Sequence, residues 1–167
     1  MKTEKTSLQN GSTWFLRGVA LLMGLGVAIL CCFVLPAVYR EWSGEFPEID
    51  YMKYPVLLGL SISAAAFFVA LAQTLKLLSY LDNNTAFSEQ SVKALGIIKY
   101  CALLISACYA VGLPVIYHLA DQDDAPGLMA IGLVFTFAPC VIAVFAAVLQ
   151  RLITSAIALK SENDLTV

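Results

Sequence analysis

Of the 167 residues, 60% are hydrophobic and only 13% charged, with a formal net charge of -2 and a mean hydropathy of +0.81. A soluble domain carries about 45–50% apolar and about 25% charged residues, so the composition excludes a water-soluble globular fold. It specifies an all-α membrane protein, a single domain over 1–167, because residues committed to bilayer spans leave no room for a second, soluble core.

The chain opens on a short polar stretch with Lys2 and Lys5, followed by a first apolar run at 14–39. Crossing a hydrocarbon layer of about 30 Å takes about 20 helical residues, and this run supplies them. It exceeds the core of a secretory signal, about 7–15 residues, and ends in LPAVYREW with no small-x-small cleavage site, so it reads as a retained span. Gly18, Gly24 and Gly26 thin one side of it. The second run, 55–81, carries Gly59 and Ser63 one helical turn apart, followed by Ala64, Ala65 and Ala66. Between helices in lipid, close backbone approach is what packing rewards, so both sets of small residues are expected at helix contacts.

The interval LDNNTAFSEQSVKAL, 81–95, is the longest polar break between spans. Asp82, Asn83 and Asn84 are expected to stop the second helix by hydrogen-bonding their own backbone. Ser88 stands where it can cap a helix beginning at Glu89, with Glu89 favourable to the helix dipole. Phe87 and Val92 occupy the two positions of a hydrophobic staple. The interval is either a well-made connector or a docking surface, and as a surface it offers Asp82, Asn84, Phe87, Ser88 and Lys93.

A third run at 94–117 and a fourth at 127–149 complete four transmembrane helices, a four-helix bundle. Pro36 and Pro114 lie near the ends of the first and third runs, whereas Pro139 falls in the middle of the fourth and leaves the carbonyl of Phe135 without its usual donor; a helix kink is expected at Pro139. Gln73, Thr74, Ser106 and Thr136 are expected to bond between helices. No Asp, Glu or His lies deep in any run, and Arg17, Lys76 and Lys99 are near enough to the run ends to carry their charge to the interface. The five cysteines, all in apolar runs, form no metal-binding pattern. These patterns nominate no catalytic residue, no cofactor and no metal site; the expectation is that the protein is not an enzyme. Beyond Gln150 and Arg151 the period of about 3.6 residues continues through Leu149, Leu152, Ile153, Ala156 and Ile157. The expected elements are therefore an amphipathic extension of the fourth helix at 150–160 and a polar tail at 161–167, in which Glu162, Asp164 and Leu165 are further docking candidates.

Eight of the ten basic residues fall on the side that holds both termini and the 81–95 loop, leaving Arg40 and Lys53 opposite. The positive-inside rule therefore predicts cytoplasmic N- and C-termini, and the extension of the fourth helix is cytoplasmic with them. Two phrases recur: LPAVYR at 35–40 with LPVIYH at 113–118, and FVALAQ at 68–73 with FAAVLQ at 145–150. They suggest two helical hairpins in one orientation, a parallel repeat.

The assembled residues resemble the bacterial domain-of-unknown-function 2975 family of small four-span inner-membrane proteins. The likeness rests on Leu81-Asp82-Asn83-Asn84, Phe87-Ser88, Val92-Lys93-Ala94-Leu95 and the ending ALKSENDLTV at 158–167. Thr85-Ala86 departs from the proline or glycine that the family more often has before Phe-Ser. The resemblance implies a multi-pass protein of the bacterial inner (plasma) membrane. It also implies a genetic neighbour, a small helix-turn-helix regulator. The first functional expectation is thus a non-enzymatic membrane regulator partnered with that cytoplasmic regulator; the alternative is a small transporter or an immunity-type protein against membrane-active peptides. Direct nucleic-acid contact is not expected, since the basic residues form no patch. The partners expected are the lipid bilayer, that regulator and, through small-residue faces, a second copy in a homodimer.

Overall fold

The computed structural model describes residues 2–45, 51, 53–83, 85–122 and 124–164, and the side chains of 13–40, 51, 53–83, 85–122 and 124–162. Four helices account for nearly all of these residues: α1 (Lys2–Glu45), α2 (Lys53–Asp82), α3 (Glu89–Gln122) and α4 (Pro126–Asp164). Each contains a stretch long and apolar enough to cross a membrane, at Thr13–Arg40, Lys53–Asp82, Glu89–Gln122 and Pro126–Glu162. The four apolar runs read from the sequence lie inside these helices. The helices are longer than the runs: α1 has 44 residues and α4 has 39, about 66 and about 58 Å at about 1.5 Å per residue, against a hydrocarbon layer of about 30 Å. The tail expected from 161 is helical as far as Asp164.

The helix ends follow from local chemistry. At the end of α2, the N–H and the hydroxyl of Thr85 both donate to the Tyr80 carbonyl, at 2.9 and 3.1 Å, the long-reach closure of a Schellman-type stop. Asp82 does not stop the helix with its own side chain as expected; its carboxylate is turned to Arg17 of α1, 2.9 Å away. α3 ends in the same way, with the Ala125 N–H on the Ala120 carbonyl at 2.9 Å and Asp124 at φ 48°. That left-handed position is one that Asp tolerates better than most side chains. Pro126 then opens α4 at the first helical position, where the missing N–H costs nothing.

The helices pack in chain order, α1 on α2, α2 on α3 and α3 on α4, and the last pair is the most extensive. Its register is antiparallel. Lys99 meets Gln150, Ser106 meets Thr136, and a methyl group added to Gly132 would stand 3.0 Å from Ile116 Cδ1. The seam is lined by small residues that let the backbones approach: Ala94, Ala102, Ala143 and Ala146 are all buried. α1 is the loosest element. Trp14, Phe15, Leu22 and Phe33 point outward, as lipid-facing side chains do when the solvent is hydrocarbon.

The glycines divide into two classes. A Cβ on Gly24 would meet the end of the Leu71 side chain at 2.5 Å, so Gly24 seats α1 against α2. Gly18, Gly26 and Gly59 have nothing within 4 Å of that position. The expectation that all of them mark helix contacts is corrected for these three. The carbon count of a side chain is legible in the sequence, but the direction in which its absent Cβ would point is not.

α4 remains one helix through Pro139. One turn earlier, the Thr136 hydroxyl, 6% exposed, donates to the Gly132 carbonyl at 2.9 Å, and Ser106 Oγ of α3 donates to the Thr136 carbonyl at 2.8 Å. These hydroxyls add bonds to carbonyls in the turns before the proline, one within α4 and one across the α3–α4 seam. α1 and α3 likewise continue through Pro36 and Pro114.

Candidate functional site

Four antiparallel crossings return both termini to the end of the molecule that carries the α2–α3 connector. This connector end holds a dense set of polar side-chain contacts among the described residues. Ser88 caps α3: its carbonyl accepts from the N–H groups of Ser91 and Val92 at 3.1 and 3.3 Å, and its Oγ lies 3.4 Å from the Ser91 nitrogen. Ser91, fully buried at 0% exposure, answers with its own hydroxyl, 3.3 Å from Ser88 Oγ and 3.5 Å from the Thr85 carbonyl. Ser91 thereby ties the cap of α3 to the Thr85 carbonyl just past the end of α2. The connector is therefore braced from inside by the residues that end α2 and begin α3.

Around this brace the candidate docking residues separate. Asp82 is already engaged with Arg17, and the half-buried Ser88 is engaged in the cap. Phe87, at 68% exposed, presents an aromatic face outward, so it buries little against Val92, its expected staple partner. Lys93 and Glu162 are exposed. Asn84 and Leu165 lie outside the described residues, as does the side chain of Asp164.

The extension of α4 joins the same end. Lys99 Nζ donates to Gln150 Oε1 at 3.3 Å and sits 4.7 Å from the centre of the Tyr100 ring. Ile153, Ala156 and Ile157 are half-buried in a helical stripe, whereas Leu152 and Leu159 stand exposed. The register fixed by Lys99 and Gln150 sets this stripe beside 91–95, where Ser91, Ala94 and Leu95 are buried. The inner face of the extension thus packs within the protein, and its outer face, with Leu152 and Leu159, stays uncovered, as does Phe87 of the connector.

Three features here were not read from the sequence as such. Gln150 looked like a polar interruption of an apolar stripe, yet it lies on the inward face as the acceptor for Lys99. The pairing of Arg17 with Asp82 joins residues far apart in the chain and has no local signal. Ser91 had one: a Ser-x-x-Ser spacing at the cap was available at 88–91.

At the opposite end, Lys53 Nζ lies 4.3 Å over the Tyr39 ring, a cation-π contact between α1 and α2. Beside it a cavity of about 570 Å³ opens between α2 and α3, lined by Gly59, Ser63, Cys108, Gly112 and Val115, with Val38 of α1 at its edge. This is the size of a small-ligand pocket, about 300–1,000 Å³, with an almost wholly apolar wall. All five cysteines are free thiols. Among the described residues no three His, Cys, Asp or Glu side chains gather as metal ligands.

Comparison with known proteins follows the same division. A family model described as "Protein of unknown function (DUF2975)" matches residues 37–167, from the last turns of α1 through α4. The "Uncharacterized membrane protein YoaS" of Bacillus subtilis (strain 168) is 54% identical over 156 residues, which is 93% of this chain and 98% of that protein. No solved structure matches. The family model leaves out all but the last turns of α1, the element that packs least; a helix that mostly faces lipid needs to be apolar and little else.

Proposed function

The chain belongs to the DUF2975 family of membrane proteins of unknown function, and on that premise we propose that it is a non-enzymatic membrane regulator. In this reading its connector end holds or releases a soluble cytoplasmic protein, a small helix-turn-helix DNA-binding regulator. The observation that carries the reading is the projection of α4. Its 39 residues run well past the layer they cross, and the excess is helical and folded against α3, with Leu152 and Leu159 uncovered at the same end of the molecule as the exposed Phe87. A span that had only to cross would end at the interface, whereas a projecting helix with an apolar outer stripe beside a braced loop suits a protein-protein contact. The proposal includes orientation: the protein lies in a bacterial inner membrane with both termini cytoplasmic. Support comes from the eight basic residues on the connector end.

The test is co-purification from cells after extraction in mild detergent, with the adjacent regulator tagged. The intact chain is expected to retain the regulator, and Phe87→Ala combined with Leu159→Ser to reduce retention at least tenfold while leaving the protein in the membrane fraction. Failure of the intact chain to retain the regulator at any detergent concentration that keeps it folded overturns the reading.

A further inference from the structure

The membrane boundaries on α3 are marked by its own tyrosines. Tyr100 and Tyr117 are 67% and 61% exposed and stand about 26 Å apart along the axis at about 1.5 Å per residue, close to a hydrocarbon layer of about 30 Å. Amphipathic rings of this kind collect at the two membrane interfaces. Lys99 flanks Tyr100 on the connector side and His118 flanks Tyr117 on the other, so Lys99 stands at headgroup depth.

Two more cations share that depth. Arg151 is next to Gln150, whose Oε1 accepts from Lys99 Nζ at 3.3 Å. Gly96 leaves room for this register, since a Cβ there would stand 3.2 Å from Gln150 Nε2. Lys76 lies about 9 Å from the connector end of α2 and Lys99 about 15 Å from the start of α3, so the two differ in depth by about one helical turn. Lys76 and Arg151 are exposed. The band they form with Lys99 holds no balancing carboxylate. The sequence has no Asp or Glu from Lys53 to Leu81, from Gln90 to Ala120 or from Pro126 to Ser161. Asp82, the nearest acid to Lys76 along the chain, is taken by Arg17. Among the described residues, none of Lys76, Lys99 and Arg151 forms an ion pair. A lysine ammonium has three donors, and Lys99 gives one to Gln150, which leaves donors for a further acceptor.

We propose that Lys76, Lys99 and Arg151 form a band that binds the headgroups of anionic phospholipids at the connector-end interface, with Lys99 as its anchor. Phosphate oxygens accept from the Lys99 and Lys76 ammonium groups and from the guanidinium of Arg151, whose fork matches a phosphate with two parallel bonds. A zwitterionic headgroup brings an ammonium of its own and leaves the three cations uncompensated, whereas a phosphatidylglycerol headgroup brings net negative charge. Free phosphate shares this chemistry but lacks the acyl chains that hold a lipid at this depth. The inference goes beyond the regulator reading and depends neither on it nor on which leaflet the connector end meets.

Native mass spectrometry tests it on the full chain, delipidated in detergent and titrated with equimolar phosphatidylglycerol and phosphatidylethanolamine of the same acyl chains. Wild type is expected to favour phosphatidylglycerol at least tenfold. Loss of one cation at an anionic surface lowers association about fivefold. Arg151→Gln is therefore expected to weaken phosphatidylglycerol binding about fivefold, and Lys76→Gln with Arg151→Gln at least tenfold, with phosphatidylethanolamine binding unchanged in both. The single variant carries the test should the double variant fold poorly. Lys160→Gln is the control: it removes an exposed cation about 14 Å farther along α4, beyond headgroup depth, and is expected to bind as wild type does. Equal binding of the two lipids by wild type, an unchanged preference in the Arg151 variants, an equal loss in Lys160→Gln, or displacement of phosphatidylglycerol by excess glycerol phosphate would each overturn the assignment.

Discussion

Ser106 and Thr136 form the polar contact deepest between two helices, and its geometry sets what a substitution costs. The Ser106 hydroxyl donates across the α3–α4 seam to a carbonyl one turn before Pro139. Hydrogen bonds of this type between spans contribute about 0.6 kcal/mol on average and at most about 1.7 kcal/mol. Ser106→Ala is therefore expected to lower stability by about that much in equilibrium unfolding in detergent, and Ser106→Thr, which keeps the hydroxyl, by less. A larger contrast belongs to the glycines. At Gly132 a Cβ already stands at 3.0–3.1 Å from two atoms of Ile116, so Gly132→Val overpacks the seam and is expected to cost about 1–3 kcal/mol. At Gly59 the space is open, and Gly59→Ala is expected to be neutral or to stabilise by up to about 1 kcal/mol through helix propensity. Side-by-side unfolding of the two variants decides whether the two classes of glycine differ; equal effects would contradict the geometry. The sequence displayed all of these glycines alike, because a missing side chain carries no mark of the face it leaves bare.

Between helices, the α3–α4 hairpin is held by a pin at each depth: Tyr109 and Phe135 with ring centres 6.3 Å apart, Ser106 on Thr136, and Lys99 on Gln150. The last matters most at the connector end, since Lys99 is a cation set well inside α3. Hydrogen bonds to charged groups contribute about 1.5–3 kcal/mol, and removing the acceptor leaves the ammonium with the Tyr100 ring and whatever water reaches it. Gln150→Ala is therefore expected to destabilise the fold by about 1–2 kcal/mol, whereas the same change at the neighbouring, exposed Arg151 is expected to stay within about 0.5 kcal/mol. Unfolding of the two variants in one detergent checks the pair; a larger loss at Arg151 would mean that the extension of α4 faces the other way. The helices were legible as elements because runs of about 20 apolar residues leave few alternatives in a bilayer, and the start of α3 was legible because Ser88 is a local cap. What escaped was register. Gln150 and Arg151 are adjacent polar residues, and only the antiparallel partner decides which one turns inward.

At the scale of the molecule, packing in chain order grades the protein from a loosely attached α1 to the tightly seamed α3–α4 hairpin, and charge grades it along the other axis. Arg17, Lys76, Lys93, Lys99, Arg151 and Lys160 all stand toward the connector end, with Lys2 and Lys5 on the N-terminal stretch of α1. Cationic side chains near span ends resist export, and the bias acts through those within about 15–20 residues of a span. Arg40 and Lys53 give the opposite end too little to compete. The expected orientation has a direct check, since the native cysteines all lie in spans and the two ends each offer an exposed position: Asp121 near the turn between α3 and α4, and Lys160 on the projecting part of α4. In a variant with the five cysteines replaced by alanine, Asp121→Cys is expected to react with a membrane-impermeant maleimide in intact spheroplasts. Lys160→Cys is expected to react only after the membrane is opened. The converse pattern would put the connector, the α4 projection and Phe87 outside the cell, where no cytoplasmic partner could reach them. It would thereby remove the basis of the regulator reading.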